Sequence, residues 1–158
     1  MTHPLDALYR DIILDHYRSP RGVEPLDSAD VCTRGSNPSC GDELQVQLKI
    51  NDGKIERAAV KARGCAISVA SSSMLTEVIE GMTLDEAVEY GEKIRKMMHG
   101  EELPDDIDLG DLDALKGVRK FPVRVKCAML AWVAMLDAIR KYRDGEPNDS
   151  NIEITTET

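Results

Sequence analysis

Apolar positions along the chain change period several times, and each change marks an element. Leu5, Leu8, Tyr9, Ile12, Ile13 and Tyr17 recur at helical spacing, which predicts an amphipathic helix over 4–18, ended by Ser19-Pro20-Arg21-Gly22. Residues 23–36 are mixed and predict one short strand near Val31-Cys32. Leu44, Val46, Leu48 and Ile50 then alternate with Glu43, Gln45, Gln47 and Lys49, the pattern of a strand with one buried face. Asn51-Asp52-Gly53 predicts a hairpin turn, because Asp-Gly accepts positive φ. The return strand covers 54–63, and its alternation slips between Ile55 and Val60, which predicts a bulge or partial two-sided burial.

Helical spacing returns over 66–80 and stops at Gly81. Thr83-Leu84-Asp85-Glu86 reads as a capping box opening a helix that reaches Met98, with Gly100 closing it. An acidic connector follows over 101–120, with a short helix near Leu112. The last long helix starts at Pro122, a residue suited to a first turn, and runs to Tyr142. The order of elements predicts an α+β fold: a small antiparallel sheet with helices packed on one face. Residues 1–143 read as a single domain and 144–158 as a flexible polar tail rich in Thr, Asn and Glu.

Composition narrows the class. The chain has 158 residues, 42% of them apolar but only 4% aromatic, so Leu, Val, Ile, Ala and Met must build the core. A formal net charge of −9 argues against a nucleic-acid binder, which would show a clustered basic face. No apolar run approaches the ~20 residues of a membrane span. The segment Met1–Asp6 lacks the basic and apolar regions of a signal peptide. A cytoplasmic location is therefore expected, where thiols stay reduced and cysteines read as ligands or nucleophiles.

Three of the four cysteines occupy positions suited to chemistry. Cys40 follows Asn37-Pro38-Ser39 and precedes Gly41-Asp42, on a loop feeding a strand. Cys65 leaves a strand and enters a helix, whose free N–H groups favour a thiolate. Cys127 lies near the start of the last helix, with Ala131, Ala134 and Ala138 on the same face. Three thiols and the Asp42 carboxylate suffice for one tetrahedral metal. The alternative is that each cysteine simply fills core, and that Asp42 is a turn residue bonding its own backbone. A divalent ion held by three thiolates and a carboxylate leaves a negative site that needs nearby cations. Arg124 and Lys126 flank Cys127, and Arg63 precedes Cys65, although the same residues also fit a solvated basic strip. Cys32 has no comparable setting and reads as structural. His3, His16 and His99 add little to a ligand set.

The segments Ile13-Leu14-Asp15-His16-Tyr17-Arg18-Ser19-Pro20-Arg21, Asn37-Pro38-x-Cys40-Gly41-Asp42, Gly64-Cys65-Ala66-Ile67-Ser68 and Lys126-Cys127-Ala128 resemble the IscU/SufU (NifU N-terminal-like) family of iron–sulfur cluster assembly proteins. The resemblance covers 5–143 and implies a SufE/IscU-like fold. IscU-type scaffolds carry His directly before the final Cys, where this chain has Lys126. Gly100–Lys120 looks like the insertion of SufU-type members. The resemblance therefore implies a zinc-dependent sulfurtransferase. It would accept persulfide sulfur from a pyridoxal-phosphate cysteine desulfurase (SufS-type) and pass it to a downstream cluster scaffold (SufBCD-type). The implied zinc ligands are Cys40, Asp42, Cys65 and Cys127, with Cys40 as sulfur acceptor and Arg124 as a basic residue beside the site. The other implied reading is an IscU-type scaffold carrying a transient iron–sulfur cluster on the same residues.

Overall fold

The computed structural model describes residues 4–104, 106–146 and 150–153. Its elements are α1 (Pro4–Arg18), β1 (Val31–Asn37), β2 (Asp42–Asn51), β3 (Lys54–Arg63), α2 (Ala66–Ile79), α3 (Leu84–Met98), a 3₁₀ helix (Gly110–Gly117), α4 (Pro122–Asp144) and β4 (Ser150–Glu153). The result is α+β, with three antiparallel strands and five helices packed against them. The strand order is β3-β2-β1-β4.

Register follows from side-chain alternation. Leu44, Val46, Leu48 and Ile50 of β2 are buried, while their alternating neighbours face outward. A slip of one residue would turn the whole apolar set into solvent, so the pairing is strongly specified. The turn at Asp52-Gly53 has both residues at positive φ, 53° and 73°, as a two-residue hairpin requires. One irregularity lies where the alternation slips: Lys49 pairs Arg57 and Ile50 pairs Ile55, leaving Glu56 as the extra residue of a bulge.

Two regions differ from the sequence expectation. β1 extends to Asn37, beyond the short strand expected near Val31-Cys32, because Thr33, Gly35 and Asn37 also face the buried side. The tail differs as well. α4 includes Asp144, Gly145 caps it at φ 68°, and Ser150–Glu153 pairs in parallel with Thr33–Ser36 of β1. Ile152 packs on the core from this strand, a single apolar anchor in a polar stretch. The rest of the expected flexible tail, 147–149 and 154–158, lies outside the described residues.

The centre of the fold is the crossing of α2 and α4. α2 buries Ser68, Ser71, Ser72 and Ser73, and α4 buries Ala128, Ala131, Ala134 and Ala138. Small side chains let the helices approach closely, and buried serine hydroxyls cost stability unless they are bonded, as Ser71, Ser72 and Ser73 are and Ser68 Oγ is not. Ser72 Oγ donates to Ser68 O at 2.8 Å, and Ser71 Oγ donates to Ala128 O at 2.6 Å. Ser71 Oγ also accepts from Trp132 Nε1 at 3.1 Å. Trp132 is fully buried, with its ring stacked 5.9 Å from that of Tyr90 on α3.

The connector after α3 is tied down by polar contacts. His16 is fully buried, with Nε2 at 2.8 Å from Asp111 Oδ2 and Nδ1 at 2.7 Å from Ser73 Oγ. Tyr9 donates to Asp113 Oδ2 at 2.8 Å. One histidine thus joins α1, α2 and the 3₁₀ helix. Among the described residues no helix is long and apolar enough to cross a membrane.

Replacing Trp132 removes the largest side chain of the α2–α4–α3 junction and the indole donor to Ser71 Oγ. Trp132→Ala is expected to destabilise the chain by about 3–5 kcal/mol, read as a lower midpoint in denaturant unfolding. A midpoint equal to wild type would contradict this assignment of the core.

Candidate metal centre

Three elements deliver their ends to one end of the sheet. β1 stops at Asn37 and β2 begins at Asp42, and the two residues are cross-strand partners. Pro38–Gly41 forms the turn between them, with Cys40 N and Gly41 N both donating to Asn37 O at 3.2 and 2.9 Å. Cys40 therefore sits at the tip of a hairpin, half-buried, with exposed neighbours Ser39 and Gly41. Cys65 is the N-cap of α2, its Sγ accepting from Ser68 N at 3.5 Å. Sulfur here occupies the place an oxygen usually takes at a helix start. Cys127 lies in the second turn of α4 and is fully buried.

Asp42 binds these ends together. Its carboxylate is 1% exposed; Oδ1 accepts from Cys65 N at 2.8 Å, and Oδ2 lies 3.9 Å from Cys65 Sγ and 3.4 Å from Asn37 Nδ2. The close approach depends on Gly64. A Cβ there would overlap Asp42 Oδ1 and lie 2.8 Å from Asp42 Cα, and the backbone is at φ 145°, a conformation L side chains rarely adopt.

The ligand atoms of Cys40, Asp42 and Cys127 all lie within 4.8 Å of one another. Cys127 Sγ is 3.3 Å from Cys40 Sγ and 3.5 Å from Val123 O. Cys65 stands beside Asp42 and Cys127 but outside the tightest trio. Cys40, Asp42 and Cys127 are thus brought to one place, with Cys65 Sγ 3.9 Å from Asp42 Oδ2, and such a mix of sulfur and carboxylate oxygen suits a tetrahedral zinc or iron centre. Arg124 and Cys32 are not among these clustered groups. Arg124 is exposed in the first turn of α4, one helical turn before Cys127, and no described hydrogen bond or ion pair uses its guanidinium. Cys32 is away from the site: its Sγ accepts from Gln45 Nε2 at 2.8 Å, and its carbonyl accepts from the buried Lys141 ammonium at 2.6 Å.

Sequence reasoning missed Asn37 as part of the site. It is fully buried, and its Nδ2 faces both Asp42 Oδ2 and Cys127 Sγ, the latter at 3.6 Å. The available signal was its position at a strand end just before the Cys-Gly-Asp turn.

Proton order in the metal-free chain follows from packing. The Cys127 thiol donates to Cys65, which is the main reason the Cys65 thiol is pulled down to about 6; the Ser68 and Ile67 N–H groups add to this, while burial and the Asp42 charge oppose it. Cys127 moves the opposite way, because it is the donor to Cys65, is buried, and faces Cys40 and Asp42 as well. Of these two, Cys65 ionises first and Cys127 holds its proton.

An α+β scaffold that converges three thiols and a buried carboxylate from a hairpin tip, a helix cap and a helix start defines a thiolate-type metal-binding protein. The model of the NifU-like N terminal domain matches residues 8–148, and the chain belongs to this family. It is 42% identical over 141 residues to the zinc-dependent sulfurtransferase SufU of Bacillus subtilis (strain 168), spanning 89% of this chain and 95% of that one. It is 36% identical over 150 residues to the iron–sulfur cluster assembly scaffold protein IscU of Streptococcus pyogenes serotype M1, with 94% of each covered. The crystal structure of a candidate cluster assembly scaffold for the SUF system from Fervidobacterium islandicum AW-1 superposes with a TM-score of 0.72 at 31% identity, covering 82% of this chain and 94% of that one.

In the metal-stripped chain, the rate of Cys65 alkylation by iodoacetamide is expected to rise with pH around a midpoint of about 6. Cys127 should label last at neutral pH in peptide mass maps. A Cys65 midpoint at the ordinary thiol value, ~8.5, would contradict the Cys127–Cys65 hydrogen bond.

Proposed function

We propose that this chain is a zinc-dependent sulfurtransferase that takes persulfide sulfur from a pyridoxal-phosphate cysteine desulfurase. It passes the sulfur to cluster-building machinery of the SufBCD type, in the cytoplasm. The zinc ligands are Cys40, Asp42, Cys65 and Cys127, and Cys40 is the acceptor. The observation that carries the reading is the asymmetry of the four donors. Cys40 lies on a hairpin tip, half-buried, 3.3 Å from Cys127 Sγ. Cys65 caps α2 and its N–H is bonded to Asp42, while Cys127 is sealed within α4. Displacing Cys40 disturbs only a turn; displacing either of the others uncaps or unpacks a helix.

Bound zinc supplies one thing: thiols held as thiolates at neutral pH. The chain's residues do the rest. When the desulfurase docks, the Cys40 turn moves and frees its sulfur. The Cys40 thiolate attacks the outer sulfur of the desulfurase persulfide. A new S–S bond forms at Cys40, the old one breaks, and its electron pair leaves on the desulfurase cysteine as thiolate. A freed thiolate is a better nucleophile than one bound to metal. Arg124 screens the negative site and steers the departing Cys40, a role supported by its exposure one turn before Cys127.

The likeness to IscU supports a second reading, a scaffold on which a cluster is built, since the same donors accept iron. Lys126 in place of a histidine and the insertion-like segment Gly100–Lys120, tied to α1 at Asp111 and Asp113, favour transfer.

Incubated with a cysteine desulfurase and cysteine, the chain is expected to gain one sulfur atom in mass, mapped to Cys40, and to raise desulfurase turnover. Cys40→Ala should lose the gain, and Arg124→Ala should keep zinc yet accept sulfur more slowly. A persulfide on Cys65 or Cys127 would overturn the assignment of the acceptor. Iron and labile sulfide in place of zinc would favour the scaffold.

A further inference from the structure

Asn37 plays two parts with two different groups. Its backbone carbonyl holds the Cys40 turn by accepting from Cys40 N and Gly41 N. Its side chain reaches the other way, with Nδ2 at 3.4 Å from Asp42 Oδ2 and 3.6 Å from Cys127 Sγ. An amide NH₂ carries two donors, one for each. The reversed amide would set an acceptor oxygen against a carboxylate and a sulfur, so this orientation is the one the neighbours select. No described hydrogen bond joins the side chain to Cys40 Sγ or Cys65 Sγ.

The arrangement is costly for a merely structural residue. Asn37 is fully buried, and its Oδ1 has no hydrogen-bond partner among the described residues. A buried acceptor left unpaired lowers stability. An apolar residue of the same shape would avoid that loss and would still leave the backbone bonds of the turn in place.

We propose that Asn37 is a positioning residue that holds the retained half of the centre, Asp42 and Cys127, in ligating geometry while Cys40 leaves and returns. The inference rests on the proposed zinc reading. When Asp42 and Cys127 ligate as anions, both amide bonds become charge-assisted and strengthen. Outer partners of this kind orient ligands and set metal affinity. The division of labour is specific. The side chain acts on the two ligands that stay, and the backbone acts on the turn that moves. Loss of the amide therefore loosens the retained ligands without disturbing the Cys40 turn.

The test uses the full-length chain with cobalt(II) as the probe. Affinity is measured by competition with a chelator, and the absorption bands of the cobalt–sulfur centre report the ligand geometry. Asn37→Leu keeps the side-chain shape and removes both donors. It is expected to weaken cobalt binding about 10- to 100-fold and to shift the bands, with the circular dichroism of the fold unchanged. The loss should be the same size in a Cys40→Ser background and should shrink in an Asp42→Ala background, because only residues in contact couple. Should Asn37→Leu fail to fold, Asn37→Ala, which removes both donors without adding a charge or a metal ligand, carries the same cycle with the same expectation. Wild-type affinity and unshifted bands in the Asn37 variant would overturn the inference while leaving the zinc reading intact. So would a loss that vanishes in Cys40→Ser and persists in Asp42→Ala. A wild-type chain that takes up neither zinc nor cobalt would overturn both.

Discussion

The buried carboxylate of Asp42 is the constraint on which the site depends. A charge at 1% exposure must be compensated where it sits, or the chain will not fold around it. The Cys65 N–H and the Asn37 amide supply part of that compensation, and a bound cation would supply the rest. Each partner belongs to a different element, so satisfying one carboxylate fixes the end of β1, the start of β2 and the cap of α2 relative to one another. Gly64 is required by the same constraint, since any side chain there would occupy the space of the carboxylate. The bulk of the molecule can be seen as holding α4 against this assembly. The serine face of α2 and the alanine face of α4 fit closely, and that fit brings Cys127 to within 3.3 Å of Cys40.

Stability and mobility are divided between the proposed ligands. Cys65 and Cys127 are built into helices whose packing would suffer if they moved. Cys40 is carried by four residues of turn held by two hydrogen bonds to one carbonyl. A metal centre made this way is rigid on two sides and yielding on one, which suits a thiol that must leave and return. A structural centre has no need of that asymmetry.

Much of this was legible in the sequence. Residue alternation located β2, β3 and the bulge between them, and the capping box of α3 is present with both of its bonds, Thr83 N to Glu86 and Glu86 N to Thr83. Cys40, Asp42, Cys65 and Cys127 stood out as candidates because glycine, proline and helix-start residues surround them. The parts that were not legible depend on contacts far apart in the chain. Asn37 gains meaning only when Cys127, ninety positions away, arrives beside it. His16 looked like one polar residue of an amphipathic helix, and its burial depends on Asp111 reaching back from the connector. β4 was hidden because a polar segment with one anchor, Ile152, carries too little local pattern to mark a strand. Its strand character comes from the open edge of β1.

X-ray absorption at the zinc edge, on protein purified without added iron, tests the central claim most directly. The account predicts one tetrahedral zinc with three sulfur neighbours at about 2.3 Å and one oxygen at about 2.0–2.2 Å, the oxygen shell changing in Asp42→Ala and the sulfur shell intact in Cys32→Ser. A centre with fewer than three sulfurs, an oxygen shell indifferent to Asp42, or no zinc at the edge would contradict it.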